Sequence, residues 1–231
     1  MGVFISIIII VLWLFNLMYS LNYVNINLTS FSFYFHFFIQ IFLFTGLFIT
    51  GHDAMHNAIS ANRTINKVIG YISSFLFAGL SYKKLVNNHR KHHAFVGSEN
   101  DPDYSIKHQN PFLWFAIFMY RYLSFTQIII MAIIFNLLKI KFTEISIWSF
   151  WVVPAILSTF QLFYFGTYKP HKLPHTEEMQ PYNSRTQRKN HLLAFISCYF
   201  FGYHYEHHYK PDKPWWKLYQ IKEELINKGV L

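Results

Sequence analysis

The stretch FSFYFHFFIQIFLFTGLFITGHDAMH, residues 31 to 56, runs for twenty residues without Lys, Arg, Asp or Glu and then arrives at once at His52 and His56. About 20 such residues is the length an α-helix needs to cross the hydrocarbon layer of a bilayer, so residues 31 to 50 read as a transmembrane helix. The two histidines are four apart, which on a helix sets them on one face about one turn from each other. Residues able to do chemistry are thus expected where a helix leaves the membrane.

The rest of the chain repeats the pattern. Residues 3 to 19, VFISIIIIVLWLFNLMY, are also uncharged, residues 112 to 138 carry only Arg121 close to their start, and residues 145 to 166 carry no charge. These blocks predict four transmembrane helices in two hairpins, with Arg121 snorkelling to a lipid headgroup. Residues 68 to 80 and 192 to 202 are apolar but too short to cross. A composition 53% hydrophobic and 21% aromatic exceeds the usual soluble mixture. No internal repeat or flexible linker interrupts the 231 residues, so the expectation is a single domain over 1–231, an all-α integral membrane protein. No basic region precedes the first apolar stretch, which therefore reads as an anchor and not a cleaved signal.

Charge orients the hairpins. Seventeen of the 20 Lys and Arg lie in residues 51 to 110 and 167 to 231, as do twelve of the 13 histidines, the exception being His36. The positive-inside rule makes both segments cytoplasmic, so the histidine-rich cap and the C-terminus face the cytoplasm. The turn from Lys139 to Glu144 then faces outward with two lysines, against the rule. The net charge of +9 is spread between apolar blocks, which favours a membrane surface or an acidic protein over nucleic acid. Gly2 with Ser6 fits a myristoylation pattern, but it opens a span that already anchors the chain, and Asn27 with Thr29 forms a glycosylation acceptor on the outer linker.

Three histidine sets carry the chemistry: His52 and His56 in HDAMH, His89, His92 and His93 in HRKHH, and His204, His207 and His208 in HYEHH. The first and last follow apolar runs, and HRKHH is expected in the long loop after residues 68 to 80. A lone pair of this kind is most simply a surface doublet, whereas three sets of one spacing point to metal. With Cys198 the sole cysteine, metal chemistry here must use nitrogen or oxygen ligands. Eight imidazoles exceed the four to six positions around one ion, so two metal ions are implied. Iron, zinc, copper and nickel all accept imidazole. HExxH, the hydrolytic zinc pattern, does not occur. A site at the membrane boundary suits oxygen chemistry on oily substrates.

The three boxes resemble those of the membrane fatty-acid desaturase and hydroxylase superfamily. Three further strings, DPDY at 101 to 104, FQLFYFGTYKPHK at 160 to 172 and CYFFGYHYEHHYKPDKPWW at 198 to 216, resemble the bacterial-type beta-carotene ketolases within it. The likeness covers most of residues 51 to 218 and is weakest in the first span and after Leu218, where any amphipathic stretch would serve. Asn57 departs from it, since the ketolase pattern has Gly after the first box. The resemblance implies a desaturase-like fold, two iron ions, O2 as co-substrate, and a ketone made at ring C4 of beta-carotene by two hydroxylations and loss of water, giving echinenone and then canthaxanthin. It also implies that a histidine beyond the fourth span completes the metal shell: His171, or failing that His191. His108 and His175 are expected in solvated loops, and His36 satisfied within its span.

Asp53, Asp101, Asp103 and Glu206 sit beside the ligands as candidates to orient imidazoles, and Asp101 and Asp103 are equally suited to shaping a turn around Pro102. Trp215 and Trp216 are expected as an interfacial anchor. The basic face suits a ferredoxin-type electron donor, although lipid attraction explains the same residues. Two other readings stay open: a fatty-acyl desaturase or carotenoid hydroxylase on the same histidines, and a membrane metal-binding or transport protein.

Overall fold

Trp13, Asn16 and Tyr19, one helical step apart, set how the first two helices meet. In the computed structural model, which describes residues 1–231, α1 (Gly2–Tyr23) and α2 (Phe31–Met55) run antiparallel. Trp13 packs edge-on against Phe44 at 5.3 Å, Asn16 donates to Gln40 Oε1 at 2.6 Å, and His36 Nδ1 lies 2.7 Å from Asn16 Oδ1. Polar side chains within apolar helices find each other because no water is available there. Phe4, Ile7, Val11 and Phe15 on α1, with Phe31, Phe35 and Phe38 on α2, stay exposed. These helices, and the continuous segment α7 (Glu144–His171), are the three long and apolar enough to cross a membrane.

The expected third span does not form as one rod. Residues 111 to 139 break into α5 (Pro111–Tyr122) and α6 (Phe125–Lys139), bent by 91°. Ser124 is extended and its hydroxyl accepts from Gln127 N, starting a new helix. Arg121, expected at a headgroup, instead donates to the carbonyls of Pro102 and Tyr104, and Lys84 takes the Tyr122 carbonyl. The two Arg121 bonds draw the end of α5 onto the DPDY loop. The break was hidden because a single serine inside an apolar run is also a good N-cap.

HRKHH proves to lie on a helix and not in a loop: α3 (Arg63–Ala78), capped by Asn62, is followed at once by α4 (Tyr82–Phe95), capped by Ser81. α7 contains two widened turns, Trp148–Val152 and Tyr164–Tyr168, each two residues ahead of a proline, Pro154 and Pro170. Proline lacks an N–H and its ring crowds the preceding turn, and a widened turn relieves both. The second widening aims His171 at the end of α7. The chain then passes through α8 (His191–Cys198), a reversal with Tyr199 and Phe200 in left-handed backbone, α9 (His204–Tyr209) and α10 (Leu218–Asn227). The main core gathers Leu43, Phe44, Leu47, Phe77, Phe150 and Tyr199. On α2, Thr45 bonds Ser158 at 2.9 Å and Gln161 at 2.7 Å, which fixes α7 beside it.

Candidate metal centre

Helix α2 delivers His52 from its last turn and His56 at its C-cap, α4 delivers His89, His92 and His93 from its last two turns, α7 ends on His171, and α9 carries His204, His207 and His208. Their nitrogens fall into two groups. His52, His56, His89 and His207 offer atoms all within 4.8 Å of one another, and so do His92, His171, His204 and His208. His93 adjoins both: its Nε2 lies 3.1 Å from His89 Nε2 and 3.0 Å from His207 Nε2, and its ring packs 4.3 Å from that of His208. For metal–imidazole bonds of about 2.1 Å, neighbouring nitrogens of one shell sit about 3 Å apart, which is this spacing.

The nitrogens also lack other work. Both ring nitrogens of His52 and of His204, and Nε2 of His171 and His208, are buried without a hydrogen-bond partner. Buried polar atoms are rarely left so, and an ion in each group would take one nitrogen from each of these rings. Burial first, and then the neighbouring imidazoles, holds His89, His93, His204, His207 and His208 below the ordinary histidine value, keeping them neutral as ligands must be. His92 differs. Burial works against its charge, but the Asp101 carboxylate outweighs this and raises it.

The candidate orienting carboxylates separate. Asp101 puts both oxygens 3.0 Å from His92 Nδ1 and also accepts from the N–H of Gly97 and of Asp103, so it orients an imidazole and shapes the turn at once. Asp103 stands 4.0 Å from His92 and is engaged by the Tyr122 hydroxyl. Asp53 approaches His52 Nδ1 to 3.6 Å but accepts its hydrogen bond from Trp215 N. Glu206 turns away from the rings to Thr186 and Lys222. His171 Nδ1 donates to the Asn183 carbonyl at 2.9 Å. His191 is elsewhere, held between the Tyr203 hydroxyl and Glu223. His108 is exposed, and His175 is half-buried against the His171 carbonyl.

Trp215 packs against other aromatic rings. It is half-buried, stacks on Phe195 at 5.8 Å and meets Tyr199 at 5.0 Å. α10 is no indifferent stretch, since its Lys222 reaches Glu206 inside the third box. The Asn183 carbonyl, Tyr122 and Lys222 were not singled out from the sequence; a backbone acceptor leaves no sequence signal, and the other two lie outside the histidine boxes.

Beside the histidines opens an apolar pocket with about 880 Å³ of atom-free space, its mouth included. Phe48, Phe77, Phe118, Leu162, Phe163 and Phe201 line it, and His52, His89, His92 and His204 reach it from both groups.

The fatty acid desaturase family model matches residues 29–149 and 126–228. The zeaxanthin 4-ketolase of Chlamydomonas reinhardtii is 36% identical over 96% of this chain and 53% of its own length. The beta-carotene ketolase of Paracoccus sp. (strain PC1) is 36% identical over 76% of this chain and 73% of its own. The beta-carotene 4-ketolase of Protosiphon botryoides is 39% identical over 85% and 53%. The chain thus spans about half the length of these two algal relatives and about three quarters of the Paracoccus one. No solved structure matches it. With the family model spread over most of the chain and a relative covered for nearly three quarters of its length, the chain belongs to the fatty acid desaturase family.

Proposed function

We propose that the protein is a beta-carotene 4-ketolase, an O2-dependent oxygenase in which nine histidines hold two iron ions. The observation that carries this is the adjacency of two four-histidine groups to one apolar pocket, each group contributing rings to its lining. His52, His56, His89 and His207 would hold one ion, His92, His171, His204 and His208 the other, and His93 stands against both. When bound, the iron pair would supply the redox power to oxidise the allylic C–H bond at ring C4, which no side-chain acid or base can break.

The chain's own part is binding and exclusion. An apolar, aromatic pocket receives a hydrocarbon ring, holds it against the histidine groups, and keeps water from the reacting carbon. Each hydroxylation consumes one O2, two electrons and two protons and releases one water. A second hydroxylation at the same carbon gives a geminal diol, which loses water to the ketone. Electrons must be supplied from outside, and the excess of Lys and Arg in residues 51 to 110 and 167 to 231 suits an acidic, ferredoxin-type donor.

The same reading gives the topology. α6 packs on α7 through Phe135 and Trp148 at 6.0 Å, and its 15 residues, about 22 Å at 1.5 Å each, make it a short fourth crossing that completes the second hairpin. α5 then lies across the bilayer boundary. The histidine cap and C-terminus face the cytoplasm, where the basic residues collect, and the whole of 1–231 acts as one catalytic domain.

Expression in a host that accumulates beta-carotene tests the activity. Reddening of the cells, with echinenone and canthaxanthin in the extract, is expected. Cells that stay yellow-orange in the presence of folded, iron-loaded protein refute the ketolase reading, and protein that binds no iron refutes the metal centre.

A further inference from the structure

Helix α9 has six residues, too few to hold its shape alone. It nevertheless serves both histidine groups, giving His207 to one and His204 and His208 to the other. A small rotation of α9 about its axis would displace ligands of both ions together. Its histidines at i, i+3 and i+4 share one face, and Glu206 projects from the other. That glutamate is fully buried, and α10 sends Lys222, itself only 4% exposed, to meet it. Lys222 Nζ stands 3.1 Å from Glu206 Oε1 and donates to Thr186 Oγ1 at 3.0 Å, while Thr186 Oγ1 donates to Glu206 Oε1 at 2.8 Å. Beside this triangle, Gln187 N donates to the Gly202 carbonyl at 2.8 Å, fastening the turn that leads into α9.

We infer that Lys222 is a positioning residue of the metal centre: through Glu206 and Thr186 it fixes the rotation of α9, and thereby the three imidazoles that α9 contributes to the two histidine groups. The inference rests on reading those histidines as metal ligands. A buried ion pair suits this work because neither partner can leave without stranding the other's charge away from water. An apolar contact in its place would fill the space but leave α9 free to turn. Beside the pair, Tyr205 of α9 packs with Ile221 and Leu225 of α10, so the C-terminal helix lies on the back of the third box.

The test compares Lys222→Met, Lys222→Arg and the double variant Glu206→Gln/Lys222→Met in the full chain. Each is loaded with Fe(II), and two quantities are read: the chelator concentration that strips half the iron, and the unfolding temperature of the metal-free protein. In Lys222→Met the stripping concentration should fall about 10- to 100-fold, the range found when outer partners of metal ligands are removed. Lys222→Arg should hold iron nearly as the parent does. The double variant has no stranded charge, so its unfolding temperature should return toward the parent while its iron remains weakly held. Parental iron retention in the double variant would overturn the inference, because only a stranded charge would then have mattered. Parental retention in Lys222→Met would overturn it as well. Should Lys222→Met not fold, the double and arginine variants decide. A parent chain that binds no iron removes the metal reading itself, and is seen before any variant is compared.

Discussion

Asp101 holds both of its carboxylate oxygens 3.0 Å from Nδ1 of His92, and the aspartate itself is fastened by the backbone N–H of Gly97 and Asp103. Although burial opposes its charge, the carboxyl is kept below the usual carboxylate range by His92 and these two N–H groups. An anionic partner on Nδ1 makes Nε2 a stronger donor and fixes which nitrogen faces the metal. The other histidine group has no equivalent, for Asp53 Oδ1 stays 3.6 Å from His52 Nδ1 while its Oδ2 accepts from Trp215 N. Gly97 N donates to Oδ2 and Asp103 N to Oδ1 of Asp101, so Asp101→Asn, with one acceptor oxygen, removes the charge and keeps one of the two backbone bonds. It should weaken the ion held by His92, His171, His204 and His208 about 10- to 100-fold and spare the other. Chelator titration should then resolve two unequal iron ions per chain in the variant, and a single uniform loss would contradict the assignment.

His171 and His191 make a second contrast. His171 is buried with Nδ1 on the Asn183 carbonyl and Nε2 unpartnered among three other imidazoles. His191 uses both ring nitrogens on Tyr203 and Glu223, well away from them. His171→Ala should cost more than the about 10- to 100-fold that loss of an outer partner costs, in ketone formed and in iron affinity. His191→Gln should keep both near the parental level. Extracted pigments and bound iron measured on the same preparations check the pair, and the reverse order would transfer the ligand role to His191.

What the sequence made legible follows from periodicity. Residues 3 to 19 and 31 to 50 announce helices through unbroken apolarity, and the i, i+3, i+4 histidines announce shared faces, because both signals are local. The bend at Ser124 and the helix under HRKHH were not legible. The first depends on Arg121 and Lys84 reaching carbonyls far along the chain, and the second on polar residues whose mean apolarity is low although Ser81 caps them well.

Asn57 tests a local rule. It has φ of 57°, in the left-handed region just past the first box. Asparagine is among the few non-glycine residues that tolerate this conformation, so Asn57→Gly should leave the unfolding temperature nearly unchanged. Asn57→Val places a branched side chain there and should destabilise by about 1–2 kcal/mol. Thermal unfolding of the two variants side by side measures the difference, and equal behaviour would mean that this turn relaxes without cost.

Gly166 and Phe201 carry the last prediction. A Cβ on Gly166 would sit 2.0 Å from Cε1 and 2.6 Å from Cδ1 of Phe201, so no side chain fits in the second widened turn of α7 while Phe201 keeps its place. Phe201 in turn packs edge-on against His52 at 4.9 Å and His204 at 5.1 Å and lines the apolar pocket. Gly166→Ala should therefore push this ring against one histidine from each group or into the space meant for substrate. Overpacking of this kind costs about 1–3 kcal/mol of stability. A shift near 1 Å at the reacting centre costs about 100-fold in rate, so ketone formation should fall much further than the unfolding temperature suggests. Phe201→Leu in the same chain removes the ring edge that the new methyl strikes. The double variant should recover a large part of the lost turnover, and recovery of stability without turnover would show that the phenyl ring itself, and not the room around it, is what the pocket requires.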